Sequence, residues 1–196
     1  MRRQRRSGKN QRGRNPSGKL KIQKSILSAI LARIFVAGIL LFISLPFPSS
    51  AENASVGVDR VVVYKHERKL VLLSQGKELR SYKVALGGEP IGPKTQQGDH
   101  RTPEGLYVLD ARNPNSRFYK AFHISYPNPK DIAAAKKLGS SPGGDIMLHG
   151  LAKEYAWMGK AHLLHDWTDG CIAVTNEEMD ELWRLVRVGT SIEIKP

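Results

Sequence analysis

Residues 59–88 read DRVVVYKHERKLVLLSQGKELRSYKVALGG, and this stretch decides the class of fold. It holds three short apolar runs, at 60–64, 70–74 and 79–86, each of strand rather than helix length and each bounded by turn formers. The pattern predicts a meander of three strands, closed by the Gly87-Gly88 pair. Downstream, LYVLDARN (106–113) and RFYKAFHISYPN (117–128) read as further strands, and the alternation over 191–195 reads as a last one. Between them lies EPIGPKTQQGDHRTPEG (89–105), a loop long enough that a compact domain usually keeps it for a functional reason.

Helical signals with good caps are fewer. Asn128 precedes Pro129 at a first helical position, Lys136 and Lys137 fall in the last turn, and Gly139 supplies the stop. Further on, Thr175 caps and Glu178 reciprocates, while Met179, Leu182, Trp183 and Val186 form one apolar face. Met179 and Trp183 are expected in the core. The expectation is a mostly β domain with at least two short helices packed on it.

The formal charge of +13 would suit a nucleic-acid partner if the domain carried it. Residues 1–51 hold 11 Lys or Arg and no acidic residue, whereas residues 52–196 hold 20 basic and 18 acidic ones, leaving the body near neutral. No nucleic-acid partner is expected, because the body lacks the aromatic-plus-basic pattern such a surface needs.

Residues 1–51 read instead as a basic leader with a signal peptide or N-terminal anchor. The cleanest apolar run, Ile34 to Leu45, has 12 residues, inside the range of about 7 to 15 for a signal-peptide core and short of the roughly 20 that span a bilayer. Small residues at Ser49 and Ala51 precede a cut after Ala51. Uncleaved, residues 26–48 would associate with the inner membrane, with Arg33 snorkelling toward its surface. Either way residues 52–196, about one domain in size, are expected to work outside the cytoplasm, in the periplasm or cell envelope.

The chain has one cysteine, Cys171, in DWTDGCIAVTN (166–176). A lone cysteine makes neither an internal disulfide nor a multi-cysteine metal site, so packing or chemistry remains. Gly170 permits a turn beside it, and the amides of Gly170 and Cys171 suit a developing oxyanion. A thiol needs a base, and six histidines are available. His66 sits among charges at a turn and reads as solvated; His162 and His165 have helical spacing but no HExxH context for a metal. His149 ends the apolar strand DIMLH (145–149) ahead of Gly150, as a residue presented from a rigid sheet would. It lies 22 positions before Cys171, room for a crossing or lid segment.

IMLHG (146–150), WTDGCIAVTNEEMDELW (167–183) and GDHRTPEGLYVL (98–109) together resemble the L,D-transpeptidase (YkuD-type) catalytic-domain family of bacterial cell walls. The resemblance spans residues 60–195 and implies a β-sandwich catalytic domain, no cofactor and no metal. It implies Cys171 as nucleophile, His149 as general base, Gly170 and Cys171 as oxyanion donors, and Thr168 as a hydroxyl supporting the loop or the histidine. The implied partners are peptidoglycan stem tetrapeptides: a thioester forms at the diaminopimelate carbonyl, D-Ala leaves, and an amine accepts to give a 3-3 cross-link. Water as acceptor makes the same site a carboxypeptidase, and a wall-linked protein as substrate makes it an amidase. Family members commonly carry Arg or Asn two residues after the cysteine, where this chain has Ala173, which is expected to leave space there. Asp99, His100, Arg101 and Tyr126 are the expected stem-peptide contacts, although Arg101 also suits a structural pairing with Asp99 or Glu104. The rival readings are a Cys-His hydrolase of ordinary peptides, sharing the same two residues, and a noncatalytic wall-peptide binding module.

Overall fold

The computed structural model describes residues 57–196. Eight strands run in the hydrogen-bonded order β3-β2-β1-β8-β4-β5-β6-β7. They are β1 (Arg60–Tyr64), β2 (Lys69–Ser74), β3 (Lys77–Lys83), β4 (Gly105–Ser116), β5 (Tyr119–Ile124), β6 (Met147–His149), β7 (Ile172–Ala173) and β8 (Ser191–Lys195). Two α-helices, α1 (Pro129–Lys137) and α2 (Asn176–Leu185), complete the mostly β domain, with 3-10 turns over Lys153–Leu164. The strand order describes one continuous array and does not by itself define the two closed layers of a sandwich.

The opening meander forms as its sequence predicts. In β1 the residues Val61, Val62 and Val63 are all buried, because the strand pairs with β2 on one side and with β8, in parallel, on the other. A continuous β-branched run suits a strand covered on both faces. Strand β3 is an edge, and its Lys77, Glu78, Arg80 and Lys83 are the charged residues that discourage further pairing. Strand β4 changes partner midway: Gly105–Val108 pair with β8, and Leu109–Ser116 pair with β5.

Both helices start as their caps dictate. The Asn128 and Thr175 side chains each accept from the backbone of the first turn, and Asp131 and Glu178 reciprocate. Helix α2 buries Met179 and Leu182 in the main core with Leu148, Ile172 and Phe122, and Trp183 packs against that core half-buried. Full burial of each of the first two side chains contributes about 1.5–3 kcal/mol.

The long loop between β3 and β4 is held from inside. Lys65, 2% exposed, donates to the Gly92 carbonyl at 2.6 Å, the Thr102 carbonyl at 2.9 Å and Glu104 at 2.7 Å. Burial lowers its pKa, and the Glu104 carboxylate works against that. A buried ammonium persists only with such a full set of acceptors. The loop is thereby a rigid support.

One expectation is corrected. Association with the inner membrane through residues 26–48 has no support: among the described residues no helix is long and apolar enough to cross a membrane, and residues 26–48, like the rest of the leader and its cut after Ala51, lie outside the described residues.

Candidate active site

Parallel pairing of β6 with β7 sets Leu148 against Ile172 and His149 against Ala173. Cys171 precedes β7 by one residue, so continuation of the register puts it two positions from Ala173, on the same face as His149. The Met147 amide points at the Cys171 sulfur from 3.4 Å, and the thiol lies 3.7 Å from the Asp145 carbonyl. Cys171 and His149 both line one cavity of about 580 Å³. The topology therefore joins two residues that the sequence separates by a helical segment and a loop.

His149 is 2% exposed. Its Nδ1 lies 2.7 Å from the Gly150 carbonyl, a contact that needs a proton on Nδ1 and so leaves Nε2 as the acceptor. The Phe118 ring stacks on the imidazole at 4.6 Å, and Trp167 meets it edge-on at 5.9 Å. Burial lowers its pKa, the Gly150 carbonyl raises it, and the nearby Arg117 charge lowers it again. Gly150 is required for a packing reason: a β-carbon there would stand 2.4 Å from the Asn176 side-chain oxygen, which accepts from the Leu151 amide at 2.7 Å.

Burial pushes the Cys171 thiol up; the Met147 amide partly opposes this, while Asp169 and Asp145 reinforce it. The imidazole pushed down and the thiol pushed up both favour the uncharged forms over a thiolate–imidazolium pair in the free site. Alkylation of Cys171 by iodoacetamide is accordingly expected to rise with pH into the alkaline range, more slowly than for the denatured chain. A rate plateau between about pH 5 and 7, the mark of a thiolate–imidazolium pair, would contradict this electrostatic picture.

Thr168 holds the loop. Its hydroxyl donates to the Cys171 carbonyl at 2.7 Å and accepts from the Gly170 amide at 3.1 Å. The Gly170 hydrogen, expected beside that of Cys171 as an oxyanion donor, is thus directed into the loop; the Cys171 amide has no partner among the described residues. Gly170 has φ 122, and a β-carbon there would meet the Arg101 carbonyl oxygen at 2.6 Å. Its contribution is backbone conformation and close approach.

The residues expected to contact a stem peptide lie outside the lining of the thiol cavity, although His100 and Arg101 adjoin it. Asp99 pairs with Lys94 at 2.7 Å and accepts from the amides of Thr95, Gln96 and Arg101. Burial alone would raise its pKa, but Lys94 and these amides hold it at about 2. His100 meets Asp169 at 2.9 Å. Arg101 supplies the carbonyl under Gly170, and its guanidinium lies by Gly92; the expected partners are taken, Asp99 by Lys94 and Glu104 by Lys65. Tyr126 is 3% exposed, packs edge-on against Tyr107 and donates to the Pro142 carbonyl at 3.0 Å. None of these four lines the thiol cavity. Ala173 leaves no space either: it is fully buried, packed with Ala85 and Leu163, and its backbone exchanges two hydrogen bonds with Ala85.

The cavity walls that sequence reasoning missed are Asn113, Ser116, Arg117 and Phe118, from β4 and the turn into β5, together with Trp167. An arginine next to an aromatic at a hairpin turn, in SRFYK (116–120), was the available signal. A second, apolar cavity of about 330 Å³ lies on the far side of Phe118 and Trp167. It is lined by Tyr155, Met158 and His162 of the 3-10 segment, which kinks at Gly159; that segment borders this cavity and not the thiol cavity. No cluster of three or more His, Cys, Asp or Glu capable of holding a metal occurs among the described residues.

A half-buried thiol just ahead of β7 and a buried imidazole at the end of β6, lining one cavity beside a threonine-pinned glycine, are the arrangement of a cysteine-dependent enzyme. The model of the L,D-transpeptidase catalytic domain matches residues 58–194, and the chain belongs to that family. It is 33% identical over 132 residues to a protein of Escherichia coli K12 provisionally named L,D-transpeptidase YafK, covering 64% of this chain and 46% of that one. It is 28% identical over 166 residues to the provisionally named L,D-transpeptidase YqjB of Bacillus subtilis, covering 83% of this chain and 85% of that one. Among solved structures, the helical cell shape determining protein Pgp2 of Campylobacter jejuni, as a K307A mutant, is similar with a TM-score of 0.55 and 27% identity, over 72% of this chain and 49% of that one. The chain thus spans about half the length of YafK and of Pgp2.

Proposed function

We propose that the protein is an exported L,D-transpeptidase acting on peptidoglycan stem tetrapeptides, with Cys171 as nucleophile and His149 as general base. The observation that carries this reading is the shared cavity of a half-buried thiol and a buried imidazole whose Nδ1 is held by the Gly150 carbonyl, leaving Nε2 to accept a proton. Nε2 takes the Cys171 proton as sulfur attacks the diaminopimelate carbonyl. The oxyanion faces the Cys171 amide, and collapse breaks the C–N bond to D-Ala, whose nitrogen takes the proton back from His149. The thioester then meets the side-chain amine of a second stem peptide, which forms the new amide and returns its proton through His149 to the departing sulfur.

Similarity to a protein described as determining helical cell shape supports a role in wall architecture. Residues 1–51, with their basic stretch ahead of the Ile34–Leu45 run, support export to the periplasm or envelope space. Residues 52–196 form the catalytic domain in this reading. The acceptor distinguishes the related activities, since water yields a tripeptide and a protein-linked substrate yields release of that protein.

Incubating the protein with disaccharide-tetrapeptide and weighing the products tests the proposal. A dimer lacking one D-Ala is the expected main product at high tetrapeptide, with tripeptide rising as acceptor is diluted. Tripeptide alone would replace the transpeptidase reading by a carboxypeptidase, and reaction only on protein-linked muropeptide would replace it by an amidase.

A further inference from the structure

The thiol cavity carries charges of both signs. Its acidic residues are Asp145, ahead of β6, and Asp169, two positions before Cys171; one Asp169 carboxylate oxygen meets His100 at 2.9 Å. Among the described residues its one Lys or Arg is Arg117, on the turn between β4 and β5. Arg117 is exposed and makes no ion pair with a described carboxylate; its guanidinium lies 4.8 Å from the centre of the Phe118 ring. Lys94 is committed to Asp99 at 2.7 Å. Phe118 in turn stacks on His149, so the guanidinium sits one ring away from the base.

A guanidinium resting on an aromatic face keeps its planar set of donors for a carboxylate, which it binds in a bidentate manner. Two aspartates in the same cavity repel a lone carboxylate and attract an ammonium group. The pocket complements a group that bears both charges close together. On the donor peptide of the reading above, that group is the far end of the diaminopimelate side chain, where a carboxylate and an ammonium share one carbon. The terminal D-Ala offers a carboxylate alone, and it departs in the first step.

We propose that Arg117 is a specificity-determining residue that binds the carboxylate at the far end of the donor's diaminopimelate side chain, with Asp145 and Asp169 facing the ammonium on the same carbon. The inference rests on the stem-peptide reading of the site. It separates this cleft from one that accepts a lysine-type stem, which carries the ammonium without the carboxylate.

The test compares three tetrapeptide donors on the full-length protein and on Arg117→Ala and Arg117→Lys: unmodified, amidated at the far diaminopimelate carboxylate, and amidated at D-Ala. The readout is kcat/KM for release of D-Ala or its amide, with circular dichroism to check folding. Removing a charge-assisted hydrogen bond of this kind lowers kcat/KM by about 10- to 100-fold. The native protein is expected to lose that factor on the far-amidated donor. Arg117→Ala is expected to lose it on the unmodified donor, with no further loss on the far-amidated one, and Arg117→Lys recovers part. Equal loss by Arg117→Ala on unmodified and far-amidated donors would overturn the proposal in favour of a structural role. A loss that disappears only with the D-Ala amide would overturn it in favour of the terminal carboxylate. Absence of release by the native protein from all three donors would instead refute the stem-peptide reading.

Discussion

Cys171→Ala is expected to abolish acyl-enzyme formation on diaminopimelate-containing tetrapeptide, lowering turnover by at least roughly four orders of magnitude. The domain is expected to stay folded. Cys171 is partly buried and its sulfur makes two weak contacts, at 3.4 and 3.7 Å, so their loss costs about 1 kcal/mol or less. Cys171→Ser is expected to be almost as inactive, because a hydroxyl is a much weaker nucleophile beside a base tuned for a thiol. Intact-protein mass spectrometry after incubation with substrate decides the matter. A full-size adduct on the alanine variant would move the nucleophile to another side chain and end the assignment.

Gly170→Ala is expected to damage both stability and activity. The residue holds φ 122, and the added carbon would stand 2.6 Å from the Arg101 carbonyl oxygen and 3.1 Å from Ile146. Backbone strain of about 1–3 kcal/mol and an overpacking cost of similar size act together, since the clashing oxygen belongs to a loop anchored by Lys65 and by the Lys94–Asp99 pair. A loss of about 2–5 kcal/mol in urea unfolding is expected. In any protein that survives, the Cys171 amide shifts and kcat falls by roughly 100-fold or more, as for loss of an oxyanion donor. Native-like stability and kcat in this variant would show that the contact between the two loops is dispensable.

The elements that sequence reasoning located well are those governed by neighbours in the chain. The β-branched run of β1, the Asn128 and Thr175 capping boxes and the Ile192/Ile194 alternation of β8 all follow from local sterics and hydrogen bonding. The 3-10 segment over Lys153–Leu164 was not foreseen, because it has neither strand alternation nor a side-chain cap at its start. At the site, the pairing of Cys171 with His149 was legible through the resemblance that their flanking residues carry. The contacts of Asp99 and His100 were not, since a polar residue in a long loop looks the same in sequence whether it faces substrate or pins the loop itself; Tyr126, just after β5, is buried against Tyr107 by the fold.

By itself the sequence determined the strand-rich class, the two capped helices, a single thiol and a histidine at a strand end, because each depends on residue type and short spacing. The tertiary structure alone decided which distant groups meet. Insertion of β8 between β1, to which it runs parallel, and β4, to which it runs antiparallel, joins the two ends of the domain. The Asp166 carboxylate accepts from Arg68, 98 residues away, and from the Leu86 amide, drawing the Cys171 loop onto the end of the meander. The hairpin turn brings Phe118 and Arg117 to His149, and Ala173 is closed in by Ala85. Such meetings are set by strand order and core burial, which sum over the whole chain, and no local propensity encodes them.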